Sequence, residues 1–193
     1  MDDCRKNTAA KSPLKGGDYF AVSYFSGVVI SNHEYRRNVF CGKPPTSFQM
    51  KLYIGIDPGL SGGIAFIPTL GDPWAHKMPE TDRDLIDLIG DAISLAEPRA
   101  VLELVHSSPQ MGVKSAFTFG EGYGRLQAVL TALRVPYERV RPQAWQKAMG
   151  CLTKGDKNVS KRRAQELFPT LKVTHATADA LLIAEFNRRT ARP

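Results

Sequence analysis

From Met50 onward, apolar and polar positions follow two periods in turn. Tyr53, Ile54 and Ile56 form a short apolar run rich in strand formers, and a second run, Ile64 to Ile67, follows after Gly62 and Gly63. This spacing predicts a β-hairpin with its turn near Pro58 to Ser61. Trp74 to Met78 adds a third strand. The period then lengthens. Leu85, Ile86, Ile89 and Ile93 recur at helical spacing and predict a helix over Asp82 to Leu95, capped by Thr81 or Asp82 and ended by Pro98. Arg99 to Val105 reads as a buried strand broken by one acid, Glu103. A second helix is expected from Gly120 to Leu133, with Leu126, Val129, Leu130 and Leu133 on one face. Tyr137 to Val140 is a strand, Arg141-Pro142 breaks it, and Gln143 to Met149 begins a helix. Further helices are expected over Val159 to Phe168, with Lys161, Arg162 and Arg163 mostly outward, and over Ala176 to Asn187. Strands interleaved with helices after an initial hairpin make an α/β or α+β layered domain with a mixed sheet.

The first 49 residues lack this periodicity, although Tyr19 to Ile30 can supply a strand or two. The folded domain is expected over residues 50–193, with 1–49 an extension: either a genuine arm or the product of a translation start placed too early. The apolar stretch there is interrupted by Ser23, Ser26 and Gly27 and lies too late for a signal peptide. No run approaches 18 uncharged apolar residues, so no transmembrane helix is expected. At 42% hydrophobic the chain has enough apolar residues for a sizeable core. Its three cysteines, Cys4, Cys41 and Cys151, are not closely paired. That argues against a disulfide framework or a cysteine-built zinc site, and for a reducing cytoplasm.

Charge is unevenly spread. Residues 50–140 hold 8 Lys and Arg against 11 Asp and Glu, whereas residues 141–193 hold 11 against 4. A basic C-terminal stretch beside an acidic middle fits a polyanion touching one side of the molecule, or simply a solvated basic face.

Three acids stand out against this background. Asp57 falls where the first strand stops, beside a glycine-rich turn, where it can hold a metal or serve as part of an ordinary Asp-Pro-Gly turn. Glu103 interrupts an apolar strand; a buried charge is costly unless paired or bound to metal, although strand alternation also permits a solvent-facing Glu. Asp179 sits early in the last helix, where it also suits the helix dipole. His175 lies four residues before it, so one helical turn can place both on one face. Together, three acids and a histidine on separate elements form a plausible oxygen-rich site for Mg²⁺ or Mn²⁺. Such clusters serve two-metal phosphoryl transfer, with flanking basic residues contacting phosphates.

Ile54-Gly-Ile-Asp-Pro-Gly, Leu102-Glu-Leu-Val-His106 and Ala178-Asp-Ala-Leu-Leu-Ile-Ala184 resemble, in order and spacing, segments of the RuvC-type Holliday junction resolvases, especially the phage and organelle-like branch. Ser115-Ala-Phe-Thr-Phe-Gly120 with Gly124, Arg141-Pro-Gln-Ala-Trp145, and Asp156-Lys157 ahead of Phe168-Pro169 extend the resemblance over Met50 to Arg189. It implies an α/β, ribonuclease-H-like mixed sheet flanked by helices. It also implies a crossover junction endodeoxyribonuclease, a homodimer that resolves four-way DNA junctions by paired symmetric nicks. The cofactor implied is Mg²⁺, with Mn²⁺ also active and two ions per site. The setting implied is cytoplasmic, on nucleoid DNA or phage DNA in an infected cell. Asp57, Glu103 and Asp179 match the family's metal-binding acids. His175 stands where many relatives carry a fourth acid, and Lys157 matches a lysine near the scissile phosphate. His106 is a possible outer contact or a loop histidine. Gln110 to Tyr123 resembles the junction-probing region, a loop running into a helix. There Phe117 and Phe119 can stack on unpaired bases, unless one of them packs in the core. Lys114, Arg125, Lys154, Lys161, Arg162 and Arg163 are expected phosphate contacts, and Trp145 a core or surface anchor. A catalytically silent nucleic-acid-binding module of the same fold is the alternative.

Overall fold

The computed structural model describes residues 24–25, 28–29, 50–94, 96–107, 110–152 and 156–191. The chain divides into two compact units, Met1–Ser47 and Phe48–Pro193. In the first, β1 (Tyr24–Phe25) pairs antiparallel with β2 (Val28–Val29). The other expectations for residues 1–49 lie outside the described residues.

The second unit is built on a five-stranded sheet of β3 (Lys51–Asp57), β4 (Gly63–Pro68), β5 (Trp74–Lys77), β6 (Glu97–Glu103) and β7 (Tyr137–Val140). The strand order is β5-β4-β3-β6-β7. β4 runs antiparallel to both β3 and β5, whereas β6 is parallel to β3 and β7 is parallel to β6. Among the described residues five helices accompany it: α1 (Asp82–Ile93), α2 (Val113–Ala132), α3 (Pro142–Met149), α4 (Lys157–Leu167) and α5 (His175–Thr190). A hairpin and a third antiparallel strand, followed by parallel strands reached through helices, is the α/β, ribonuclease-H-like arrangement expected above.

Local chemistry accounts for the boundaries. The β3–β4 turn closes with Gly62 N donating to Gly59 O at 3.1 Å, and Gly59 takes a φ of +115° that side-chain-bearing residues rarely adopt. Thr81 caps α1 by accepting from Asp84 N, Asp156 caps α4, and Thr174 with Thr177 forms a reciprocal capping box at the start of α5. Two boundaries depart from expectation. Pro98 does not end α1, which stops at Ile93; it lies near the start of β6, opposite Leu52, where a strand tolerates proline. α2 begins at Val113 rather than Gly120. The added residues, Val113 to Phe119, are largely exposed and lack an apolar stripe; they continue, through the glycine-bearing turns at Gly120, Gly122 and Gly124, a helix whose C-terminal half is held by Leu126, Val129 and Leu130 buried against the sheet.

Strand alternation sorts the core into two layers. Leu52, Ile54, Ile56, Ile64, Phe66, Ala100 and Leu102 face Leu85 and Ile89 of α1 and Leu126 and Leu130 of α2. Ala65, Ile67 and Val101 face Trp145 and Met149 of α3, Ala164 of α4 and the alanine-rich side of α5. On this second face α5 comes unusually close. A Cβ on Gly55 would collide with Ala180 O and Ala184 N, and one on Gly63 would lie 2.6 Å from His76 O and as close to Ala176 O. Ala176, Ala180 and Ala184, spaced four residues apart, form the stripe that rests on these two glycines. Asn187, one turn further on and wholly buried, donates to Ile54 O at 3.1 Å and Arg99 O at 2.7 Å, tying α5 to both β3 and β6.

Candidate metal and nucleic-acid site

Asp57 and Glu103 are the last residues of β3 and β6, two adjacent parallel strands. The register pairs Ile56 with Leu102, so the two acids come next, side by side at the same end of the sheet. Alternation turns Ile56 and Leu102 to the α1–α2 face and sends Asp57 and Glu103 to the α5 face. α5 begins over that same end, because Ala176 lies on Gly63, the residue paired with Asp57. Asp179 is thereby delivered to the two strand ends from a helix far along the chain, 122 residues after Asp57 and 76 after Glu103.

The electrostatics register this convergence. The pKa of Glu103 is raised. Burial is the main cause, opposed by a hydrogen bond from Trp145, reinforced by the charge of Asp179, and opposed again by a hydrogen bond with Asp57. Asp179 also reaches Cys151: burial pushes that thiol's pKa up, and the Asp179 charge adds to the effect. Among the described residues, no group of three His, Cys, Asp or Glu is drawn tightly enough together to hold one ion as it stands.

His175 is the first residue of α5, exposed, one turn before Asp179. His106 lies exposed in the segment after β6. Lys157 opens α4, and Lys154 lies outside the described residues. The glycine-bearing half of α2 presents Lys114 and Phe117 to solvent, with Phe117 74% exposed. Phe119 is half-buried, its ring close to Gly59 in the turn just after Asp57. Neither phenylalanine therefore belongs to the buried core. Pro58, Leu60, Met78, Met111, Lys114 and Phe119 help to line a cleft of about 520 Å³ between the β3–β4 turn and α2. A separate cleft of about 580 Å³, between Tyr53, Phe168 and Arg188, lies toward the opposite end of β3, away from Asp57, Glu103 and Asp179.

Two expected phosphate contacts are engaged inside the fold. Arg125 pairs with Asp82 at 3.1 Å and points a second nitrogen at Pro79 O at 3.5 Å, joining α2 to the start of α1. Arg163 donates to Met149 O at 2.9 Å and pairs with Glu166 at 3.0 Å, joining α4 to α3. Both guanidiniums thus have partners within the fold that a DNA phosphate would have to share or replace. Arg162 remains exposed on α4 and Lys161 half-exposed. Sequence reasoning also missed the role of Trp145. It is 1% exposed, as an anchor should be, but its indole N–H donates to Glu103 Oε1 at 2.9 Å. The signal was present: a buried indole needs an acceptor, and the acid in the neighbouring strand was the anomalous one.

No family model matches the chain, and no curated protein sequence matches it. Among solved structures, it is similar to RuvC of Thermus thermophilus, with 17% identity and a TM-score of 0.48 over 72% of this chain and 95% of that one. It is similar also to T. thermophilus RuvC in complex with a Holliday junction substrate, with 18% identity and a TM-score of 0.48 over the same shares. Among the described residues, no helix is long and apolar enough to cross a membrane.

Proposed function

We propose that the chain is a metal-dependent endonuclease acting on branched DNA, which resolves four-way junctions by paired symmetric nicks as a homodimer. The observation that carries this reading is the meeting of Asp57, Glu103 and Asp179 at one end of one sheet face, close enough to perturb Glu103. Carboxylates pressed together in a partly buried place are unfavourable by themselves and become favourable around a cation. The donor set fits the group: hard oxygens suit Mg²⁺ and Mn²⁺. Asp57, Glu103 and Asp179 would hold the ions, with His175 one turn away as a nitrogen donor. When bound, the ions supply a water of lowered pKa and neutralise charge on the leaving oxygen. The protein's own residues bind and orient the DNA: Lys114, Lys161 and Arg162 meet phosphates, Phe117 offers an exposed ring to an unpaired base, and Lys157 approaches the cleaved phosphate. The four-way junction and the dimer come from the ordered sequence motifs.

The decisive experiment compares cleavage of a synthetic four-way junction with that of a linear duplex in Mg²⁺, for the natural chain and for Asp57→Asn, Glu103→Gln and Asp179→Asn. Each variant is expected to lose cleavage while retaining junction binding, because each removes a metal-binding charge and little phosphate-contacting surface. Wild-type rates in any one of them would remove that residue from the site. A nitrogen donor favours Mn²⁺ over Mg²⁺, so cleavage is expected to be at least as fast in Mn²⁺. A His175→Ala chain with an unchanged rate in both metals would exclude His175.

The second reading is a silent DNA-binding module of the same fold, since no three acids or histidines among the described residues already stand in the arrangement that holds an ion. The same assay separates the two readings, since a silent module binds the junction and never cuts it.

A further inference from the structure

We propose that Trp145 is a positioning residue: its buried indole N–H holds Glu103 Oε1 and so fixes the carboxylate that a divalent ion would meet beside Asp57 and Asp179. The inference rests on the nuclease reading and deepens it. The chain path delivers the contact. Val140, the last residue of β7, pairs with Glu103, and Leu104 N donates back to Val140 O at 2.7 Å. Arg141 and Pro142 turn the chain directly into α3, so Trp145 in its first turn folds back onto Glu103. The far end of α3 is pinned as well. Gly150 ends it in the left-handed conformation, Cys151 N donates to Gln146 O at 2.9 Å, and Arg163 holds Met149 O. With 1% exposure and both helix ends anchored, the indole has nowhere to swing.

The choice of acceptor is the informative feature. A buried indole N–H is satisfied by a backbone carbonyl or a neutral amide at little cost. Here it takes an ionisable carboxyl that is itself desolvated and lies beside two other acids, an expensive acceptor if packing were the only purpose. A free glutamate side chain samples several rotamers; one whose oxygen is held by a rigid neighbour meets an ion without first losing that freedom. Hydrogen-bond partners of metal ligands act in this way, and their loss typically costs about 10–100-fold in metal affinity or activity.

The test uses the full-length chain and two readouts that need no cleavage. Mn²⁺ alone is titrated calorimetrically into the natural chain and into Trp145→Phe, with a thermal melt confirming that the variant folds. In parallel, the indole N–H resonances of the natural chain are followed by NMR during a Mg²⁺ titration. Trp74, the only other tryptophan and one that stacks on Phe66 in the opposite layer, is the internal control. The expected result is a Kd for Mn²⁺ weakened about 10–100-fold in Trp145→Phe. The Trp145 resonance should move with Mg²⁺ saturation while that of Trp74 stays, and Glu103→Gln should abolish the movement. A folded Trp145→Phe chain with the natural Mn²⁺ affinity, or a Trp145 resonance indifferent to Mg²⁺, overturns the positioning role alone. The second criterion decides the matter even if the variant fails to fold. A natural chain that binds no Mn²⁺ overturns the nuclease reading, and the positioning role with it.

Discussion

The two faces of the sheet obey different packing rules. On the α1–α2 face, branched and aromatic side chains such as Ile54, Ile56, Ile64 and Phe66 interpose a full apolar layer between sheet and helices. On the α5 face, Gly55 and Gly63 remove that layer at two points, and the backbone of α5 rests on the backbone of the strands. The first face buries most of the large side chains of the sheet and carries no member of the acid cluster. The second has all three. A carboxylate has a short reach, so a helix-borne Asp179 can join strand-borne Asp57 and Glu103 only where the helix lies close. Small residues under α5 are therefore a condition of the site, whereas large ones under α1 and α2 supply the stability that the crowded acids consume.

The largest expected effect comes from erasing this difference. Gly55→Val puts a branched side chain against Ala180 O and Ala184 N, with Ala184 Cα only 2.8 Å from the new Cβ. Overpacking costs about 1–3 kcal/mol when side chains can yield, and more when, as here, backbone must. We expect loss of the cooperative thermal transition together with loss of Mn²⁺ binding. A melt like that of the natural chain would show that α5 is not held to β3 in this way.

An intermediate effect tests whether the faces are separable. Leu130→Ala empties a fully buried position on the acid-free face. It should lower unfolding stability by about 2–5 kcal/mol in urea, while the folded fraction keeps its Mn²⁺ affinity. A parallel fall in affinity would mean that the two layers act as one unit.

The smallest effect concerns the cost of the acid cluster. Glu103 has a raised pKa in the folded chain, so the metal-free fold holds its proton more tightly than the unfolded chain does. The resulting penalty is absent below the unfolded value of about 4.3 and grows as pH rises, until it is complete above the folded value. Glu103→Gln should therefore melt higher than the natural chain at neutral pH without metal, and the advantage should vanish in acid. A melting difference that does not change with pH would assign the cost to packing rather than charge.

Much of this was legible in the chain. The hairpin, the two-residue alternation and the helical stripes at Leu85–Ile89 and Leu126–Leu130 are local patterns, and each element appears where its pattern lies. Glu103 stood out for a local reason as well, as an acid in an apolar strand. The start of α2 was misjudged because Val113 to Phe119 is largely exposed and so carries no apolar stripe that marks it as helix, while the burial that holds it lies further along the same helix. The pairing of Arg125 with Asp82 and of Arg163 with Glu166 was not legible, because a sequence displays charge but not the partner that folding brings to it.

The sequence by itself determined the elements, which side of each strand is apolar, and the chemical types available for a site. Periodicity and residue type are short-range properties, written into each segment separately. Tertiary structure alone decided that Asp57 and Glu103 end adjacent parallel strands, that α5 settles onto Gly55 and Gly63, and that an indole 42 residues from Glu103 becomes its donor. These are choices of register, helix approach and partner. They are made by contacts between residues distant in the chain, and their energies exist only once the sheet has assembled.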